Sequence, residues 1–314
     1  MRQSTRTTVR RPLYRNVLTR RLLTLLILTS SAVSAAEPAE LTEQQLAKLS
    51  IRPVADKIDL NVIPGFGGAV SGGNIAVLVT QKGVVVVDNK FDYSHDDIVS
   101  QIRSITKQPI TTVLNTHHHF DHAGSNPHFL PYAQVIGHDN ARANMLANRR
   151  ASADPEGAPT ITYSDTTTLH VGNHTIELHH FGRGHTNGDT VVYFTNLKTV
   201  HTGDLFIWGK RLDGSRLAPF IDYHNGGSAK DWSGTLDKIL ALDFDTVIPG
   251  HGPILTRSEL ETFRHRFEVL VGRVAQAIAA GISREGVAAA VQLEDLDWPL
   301  TKDRIELIYD ELRL

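Results

Sequence analysis

The chain of 314 residues reads as an α/β protein in which one sheet packs on a second, with helices outside. Two observations predict this. Strand and helix signals alternate loosely in two halves, and each half holds enough strands for a sheet of its own. The clearest helix carries its apolar residues on one face only, as a helix covering a sheet does. No repeat of fixed period, low-complexity tract or long linker divides the chain. With 41% hydrophobic and 21% charged residues, the composition is that of an ordinary globular protein.

The first 36 residues stand apart from the fold. They hold seven arginines and no acid, then the apolar run Leu22-Leu23-Thr24-Leu25-Leu26-Ile27-Leu28, then small residues from Ser30 to Ala36. This is the three-part pattern of a secretory signal peptide, and cleavage after Ala35 or Ala36 fits. The apolar run is far shorter than the roughly 20 residues that span a bilayer, so no membrane anchor is expected after cleavage. Thr19-Arg20-Arg21-Leu22-Leu23 also resembles a twin-arginine signal. The expected location is periplasmic or secreted. Removing the segment leaves 25 basic against 34 acidic residues, a balance that disfavours nucleic acid as a partner. The chain has no cysteine, so export brings no disulfide and no thiolate can hold a metal.

Residues 37–314 read as a single domain. A polar lead-in holds a short helix around 43–49. Strand signals follow at 58–63, 74–80 and 84–87. The last is four valines between Gly83 and Asp88, the mark of a buried central strand. Residues 95–107 have helical spacing at Ile98, Ile102 and Ile105. A short strand at 111–115 leads into a histidine-rich segment. The second half offers strands at 134–137, 167–171, 175–180, 190–194, 199–202 and 246–249, with helices at 139–149 and 230–242. C-terminal helices begin at about residue 256. The first spans 259–280, with Leu260, Phe263, Phe267, Leu270, Val274 and Ile278 on one face and Ser258 with Glu261 as a capping box. Shorter helices near 283–291 and 302–312 close the chain.

The strongest local signal is Thr116-His117-His118-His119-Phe120-Asp121-His122. A turn leaving a buried strand aims alternate side chains at one point. His117 and His119 then converge, His118 turns away, and Asp121 with His122 serves a second point nearby. Imidazole and carboxylate are natural zinc ligands where thiolate is missing. Three isolated residues share the same setting. His185 lies in Gly184-His185-Thr186-Asn187-Gly188-Asp189, Asp204 in His201-Thr202-Gly203-Asp204, and His251 in Pro249-Gly250-His251-Gly252-Pro253. All sit in strand-end loops flanked by glycine or proline, where sites are built over a rigid sheet.

With these motifs in this order, residues 58–255 resemble the metallo-β-lactamase superfamily. The resemblance implies a four-layer αββα sandwich with the site along one edge of both sheets. It implies that His117, His119 and His185 hold a first metal, that Asp121, His122 and His251 hold a second, and that Asp204 bridges them. Two zinc ions are expected, and iron or manganese would suit the same donors. A hydroxide shared by two such metals attacks a carbonyl carbon while Asp121 orients it and passes on its proton. Asp88 matches a position that supports the ligand loop in the family, or is a strand-end turn aspartate. Asp189 and His201 are candidate partners for ligand histidine rings. Tyr223 and His224, between Asp204 and His251, are candidates for substrate contact. His179 and His180 are structural or surface histidines.

The family does not fix the substrate. Aspartate at 204, where dedicated β-lactamases of this family usually carry cysteine or serine, resembles instead the thioesterases of the glyoxalase II type, lactonases and phosphodiesterases. The reading is an exported two-metal hydrolase acting on a small activated carbonyl substrate: lactone, ester, thioester or β-lactam. The alternatives are a β-lactamase proper, a single-iron sulfur dioxygenase of the same fold, and a non-catalytic periplasmic metal-binding protein.

Overall fold

The computed structural model describes residues 42–68 and 70–314. The signal segment lies outside the described residues. The first sheet has seven strands side by side in chain order: β1 (Arg52–Pro53), β2 (Leu60–Ile63), β3 (Ile75–Thr80), β4 (Gly83–Val87), β5 (Ile110–Leu114), β6 (Gln134–His138) and β7 (Ile161–Tyr163). Pairing is antiparallel from β1 to β4 and parallel from β4 to β7. The second sheet contains β8 (Thr166–Val171), β9 (His174–His179), β10 (Val191–Phe194), β11 (Thr199–His201), β12 (Thr246–Ile248) and β13 (Leu255–Thr256), again in chain order across the sheet. Only the β11–β12 pair is parallel there.

The helices are α1 (Glu43–Lys48), α2 (His95–Ile105), α3 (Phe120–Ala123), α4 (Asn126–Phe129), α5 (Asp139–Leu146), α6 (Ala229–Leu240), α7 (Arg257–Ala279), α8 (Arg284–Ala290) and α9 (Lys302–Arg313). None among the described residues is long and apolar enough to cross a membrane.

Alternation along the strands divides the core into layers, because successive side chains point to opposite faces. On β4, Val85 and Val87 face the second sheet and meet Ile176, Leu178, Val192 and Phe194. Val84 and Val86 face outward onto Ile98 and Ile102 of α2. Val200 and Val247 of the second sheet face Trp232 and Leu236 of α6 and Phe263 and Phe267 of α7. The order is helix, sheet, sheet, helix, the four-layer αββα sandwich expected. The four valines of β4 are wholly buried, as a central strand requires.

Several boundaries differ from the expectation, each for a local reason. β2 starts at Leu60, because Asp56 and Asp59 take positive φ in a turn that leaves Ile58 77% exposed. Ile105 ends α2 and is exposed rather than buried. The cap of α7 is Thr256 with Glu259, whose carboxylate accepts from the Thr256 N–H and hydroxyl. Glu261, expected in that role, pairs instead with Arg257. The short elements β1, β7, β13, α3 and α4 carry two to four residues each.

Candidate metal centre

All expected ligands gather where strands of both sheets end. The segment 116–122 follows β5, Asp88 follows β4, Asp204 follows β11 and His251 follows β12; His185 lies between β9 and β10. Donor atoms within 4.8 Å of one another form the groups His117–His119–His185, His117–His122–Asp204 and Asp121–His122–His251.

The hydrogen bonds fix the tautomers. His122 Nδ1–H donates to Asp88 Oδ2 at 2.8 Å, His185 Nδ1–H to the Phe220 carbonyl at 2.6 Å, and His251 Nδ1–H to the Gly72 carbonyl at 3.0 Å. Thr116 gives its hydroxyl hydrogen to Asp88, so it accepts from His117 Nδ1–H at 3.0 Å. His119 is turned the other way: its Nε2–H donates to Asp222 Oδ2 at 2.8 Å. Carboxylate and carbonyl oxygens only accept, so each ring spends its hydrogen on the far side from the cluster.

Five ring nitrogens therefore point inward. His185 Nε2 lies 2.9 Å from His119 Nδ1, and His122 Nε2 lies 3.2 Å from His251 Nε2. Ring nitrogens at such distances repel unless a metal ion or a proton stands between them. Asp204 adds negative charge between the groups. Its Oδ1 is 3.2 Å from His122 Nε2 and 3.3 Å from His251 Nε2, and its Oδ2 is 3.8 Å from His185 Nε2. His117 Nε2 and Asp204 Oδ1 are buried with no hydrogen-bond partner. The donor set thus fits divalent metal ions.

Protonation follows the same division. Burial, and then the surrounding histidines, push His117 well below its usual range, and burial with His119 lowers His185 to about 4. Both are neutral donors at neutral pH. Burial also opposes charge on His251, but Asp204 and Asp121 overcome it and raise the ring to about 9. His122 is raised for the same reason, and Asp121 and Asp204 are held low. This end of the cluster draws positive charge. The side chains of Asp121 and Asp204, 21% and 13% exposed, mark where it opens to solvent.

The supporting residues differ in part from the expectation. Asp88, wholly buried, accepts from the Thr116 N–H, the Thr116 hydroxyl and His122 Nδ1–H, and so ties the ligand loop to β4. Asp189 touches no ligand ring. It accepts from the Thr186 N–H at 2.9 Å and hydroxyl at 2.6 Å, folding the loop that carries His185, and burial raises it to about 7. His201 bonds the Asn74 carbonyl and the Gly203 N–H, again no ligand ring. Tyr223 gives its hydroxyl to Glu311 of α9, and His224 is exposed. His118 is buried against His119 with neither ring nitrogen bonded, and burial lowers it to about 2.

Two residues of the site went unread in the sequence. Asp222 is the carboxylate partner of His119, and no ligand motif flags it. Asn74, just before β3, crosses between the sheets. Its side chain accepts from the Gly65 N–H and donates to the carbonyls of Pro249 and Gly252, and its own N–H bonds the Gly250 carbonyl. It holds the His251 loop.

A sequence profile described as the metallo-beta-lactamase superfamily matches residues 68–251. The chain belongs to that superfamily of metal-dependent hydrolases, whose members bind divalent metals and act on small molecules. It is 25% identical over 244 residues to a type 2 metallo-beta-lactamase of Bacillus cereus, covering 76% of this chain and 91% of that one. It is 27% identical over 184 residues to the 2,4-dinitroanisole O-demethylase subunit alpha of Nocardioides sp. (strain JS1661), covering 58% of this chain and about half, 52%, of that one. Among solved structures, a metallo-beta-lactamase from Pontibacter korlensis superposes with TM-score 0.57 at 20% identity over 70% of this chain and 99% of that chain. A stereoselective inverting sec-alkylsulfatase from Pseudomonas sp. superposes with TM-score 0.66 at 17% identity over 83% of this chain and 50% of that chain.

Proposed function

We propose that this chain is an exported hydrolase that holds two divalent metal ions, zinc in the first instance, and cleaves a small activated carbonyl substrate: a lactone, ester, thioester or β-lactam. The observation that carries the reading is the position of Asp204, with one oxygen toward His122 and His251 and the other toward His185. His117, His119 and His185 would hold the first ion and Asp121, His122 and His251 the second, with Asp204 placed between the two groups. The metals, when bound, supply a water ionised at neutral pH and a Lewis acid for the carbonyl.

The chain's own residues do the rest. Asp88 and Asp222 orient the rings of His122 and His119 from behind. Asp121, the most open of these residues, accepts the remaining proton of the attacking oxygen once it has added to the carbonyl and delivers it to the departing nitrogen, oxygen or sulfur as the carbonyl bond to that atom breaks. Export to the periplasm or medium rests on the arginine-rich, then apolar, first 36 residues. Residues 37–314 act as one domain.

A dedicated β-lactamase is the second reading, favoured by the names of the relatives above. Aspartate at position 204 favours the broader one. A panel of lactone, thioester, ester and cephalosporin substrates decides. Chelator-sensitive turnover of at least one, lowered about 10²–10⁴-fold by Asp121→Ala, is expected. Turnover of cephalosporin alone selects the second reading. Full metal loading with no turnover overturns both in favour of a metal-binding protein, and oxygen consumption with one iron per chain favours a dioxygenase.

A further inference from the structure

The last helix reaches back toward the ligand cluster through one carboxylate. Glu311, half-buried on α9, accepts the Ser228 hydroxyl at 2.6 Å on Oε1. Its Oε2 accepts the Ala229 N–H at 2.8 Å and the Tyr223 hydroxyl at 3.1 Å. Ala229 is the first residue of α6, where free N–H groups favour a negative charge. Ser228 caps the same helix, accepting from the Asp231 N–H at 3.1 Å. Among the described residues Glu311 pairs with no basic side chain, whereas Glu306 and Asp310 of the same helix pair with Arg284. Its carboxylate is spent wholly on the segment 223–229.

That segment is bonded at its other end to the first metal group. The Asp222 N–H donates to the His185 carbonyl at 2.9 Å and the Ser228 N–H to the Gly184 carbonyl at 2.9 Å. The Gly227 N–H returns to the Asp222 carbonyl at 2.9 Å. Asp222 Oδ2 accepts from His119 Nε2–H at 2.8 Å and from the Asn225 amide at 2.5 Å. A side-chain carbon on Gly227 would stand 2.4 Å from the His185 carbonyl oxygen, so this turn has no slack against the His185 loop. A carboxylate aimed at a ligand ring keeps its direction only if its own backbone is held.

We propose that Glu311 is a positioning residue for the group His117–His119–His185: it fixes the segment 222–229 and, with it, the Asp222 carboxylate that orients His119. Glu311 lies beyond residue 251, where the superfamily match ends, so the C-terminal helices of this chain supply the support. The inference rests on the two-metal reading for what the group holds. How Glu311 acts rests on the His119–Asp222 bond alone.

The test makes Glu311→Ala and Asp222→Ala singly and together and reads the zinc affinities of the full chain by chelator competition. Glu311→Ala is expected to weaken the ion held by His117, His119 and His185 roughly tenfold and leave the other unchanged. Glu311→Gln, which keeps one acceptor oxygen, should recover part of the loss. In the Asp222→Ala background, Glu311→Ala should add no more than about twofold, because the carboxylate through which it acts is gone. Asp310→Ala, which removes a partner of Arg284 on the same helix, should leave zinc binding unchanged and so controls for general loosening of α9. No loss in Glu311→Ala, equal loss of both ions, or a full loss that persists without Asp222 overturns the proposal. In the metal-free chain, proton NMR should show His119 Nε2–H exchanging faster in Glu311→Ala than in the parent, and an unchanged rate overturns the proposal as well. Faster exchange in a chain whose parent binds no zinc keeps the positioning role and loses the two-metal reading.

Discussion

His119 Nε2 and Asp222 Oδ2 lie 2.8 Å apart, both buried, and this bond turns His119 so that Nδ1 rather than Nε2 faces His185. The other four rings of the cluster use the reverse orientation. Asp222 therefore decides which nitrogen His119 presents to the group with His117 and His185. Asp222→Ala is expected to lower affinity for the metal held by His117, His119 and His185 roughly 10–100-fold, measured by chelator competition. Unchanged affinity for both metals would show that Asp222 does not orient His119 for metal binding.

Asn74 makes three bonds that join the loop before β3 to the loop carrying His251, and a fourth, from the Gly65 N–H, within its own loop. Asn74→Ala leaves buried backbone groups without partners. A loss of about 2–4 kcal/mol in denaturant unfolding is expected, with weaker retention of the second metal. A variant as stable as the parent would show that solvent replaces these bonds.

Gly250 lies so close to Asp204 that a side-chain carbon there would stand 1.9 Å from Asp204 Oδ1. Gly250→Ala is expected to displace Asp204 and lower the metal content of the purified chain. Gly272 provides the contrast. It lies within α7 with open space around it, and Gly272→Ala should raise stability by about 0.5–1 kcal/mol with metal content unchanged. Equal metal content in the two variants would contradict the placement of Asp204.

Lys90 is buried, donates to the Pro64 carbonyl at 2.7 Å, and is lowered to about 8 by burial against the weaker pull of Asp97. Its folded value lies below the unfolded 10.5, so between pH 8 and 10.5 the unfolded chain binds the extra proton. Stability from this group rises with pH across that window, by roughly 3 kcal/mol. Lys90→Met should therefore compare more favourably with the parent at pH 7 than at pH 10. The same difference in unfolding free energy at both values would refute the burial cost.

Much of this was legible in the sequence because the signals are contiguous or repeat. His117, His119, Asp121 and His122 fall in one turn, and the valines of β4 are a run that only a doubly covered strand explains. Glycine and proline around His185, Asp204 and His251 marked the strand ends. Asp222 was not legible because its partner is 103 residues away and nothing in Ile221-Asp222-Tyr223 signals it. The neighbours Tyr223 and His224 drew notice by residue type, while the buried aspartate between Phe220 and Tyr223 does the bonding. Its place in the His185 loop makes Asp189 a candidate ring partner, but a nearer donor, Thr186, claims it. Edge strands such as β1 and β13 have two residues each, too few to display a period.

Inward-facing nitrogens from five histidines, with Asp121 and Asp204, are expected to hold two metal ions, with Asp204 between them. Elemental analysis of the full chain, purified without chelator and dialysed, tests it most directly, alongside Asp204→Ala. Two metal equivalents per chain, zinc foremost, are expected, with loss of at least one in the variant. One equivalent or none in the parent, or two retained by Asp204→Ala, would contradict it.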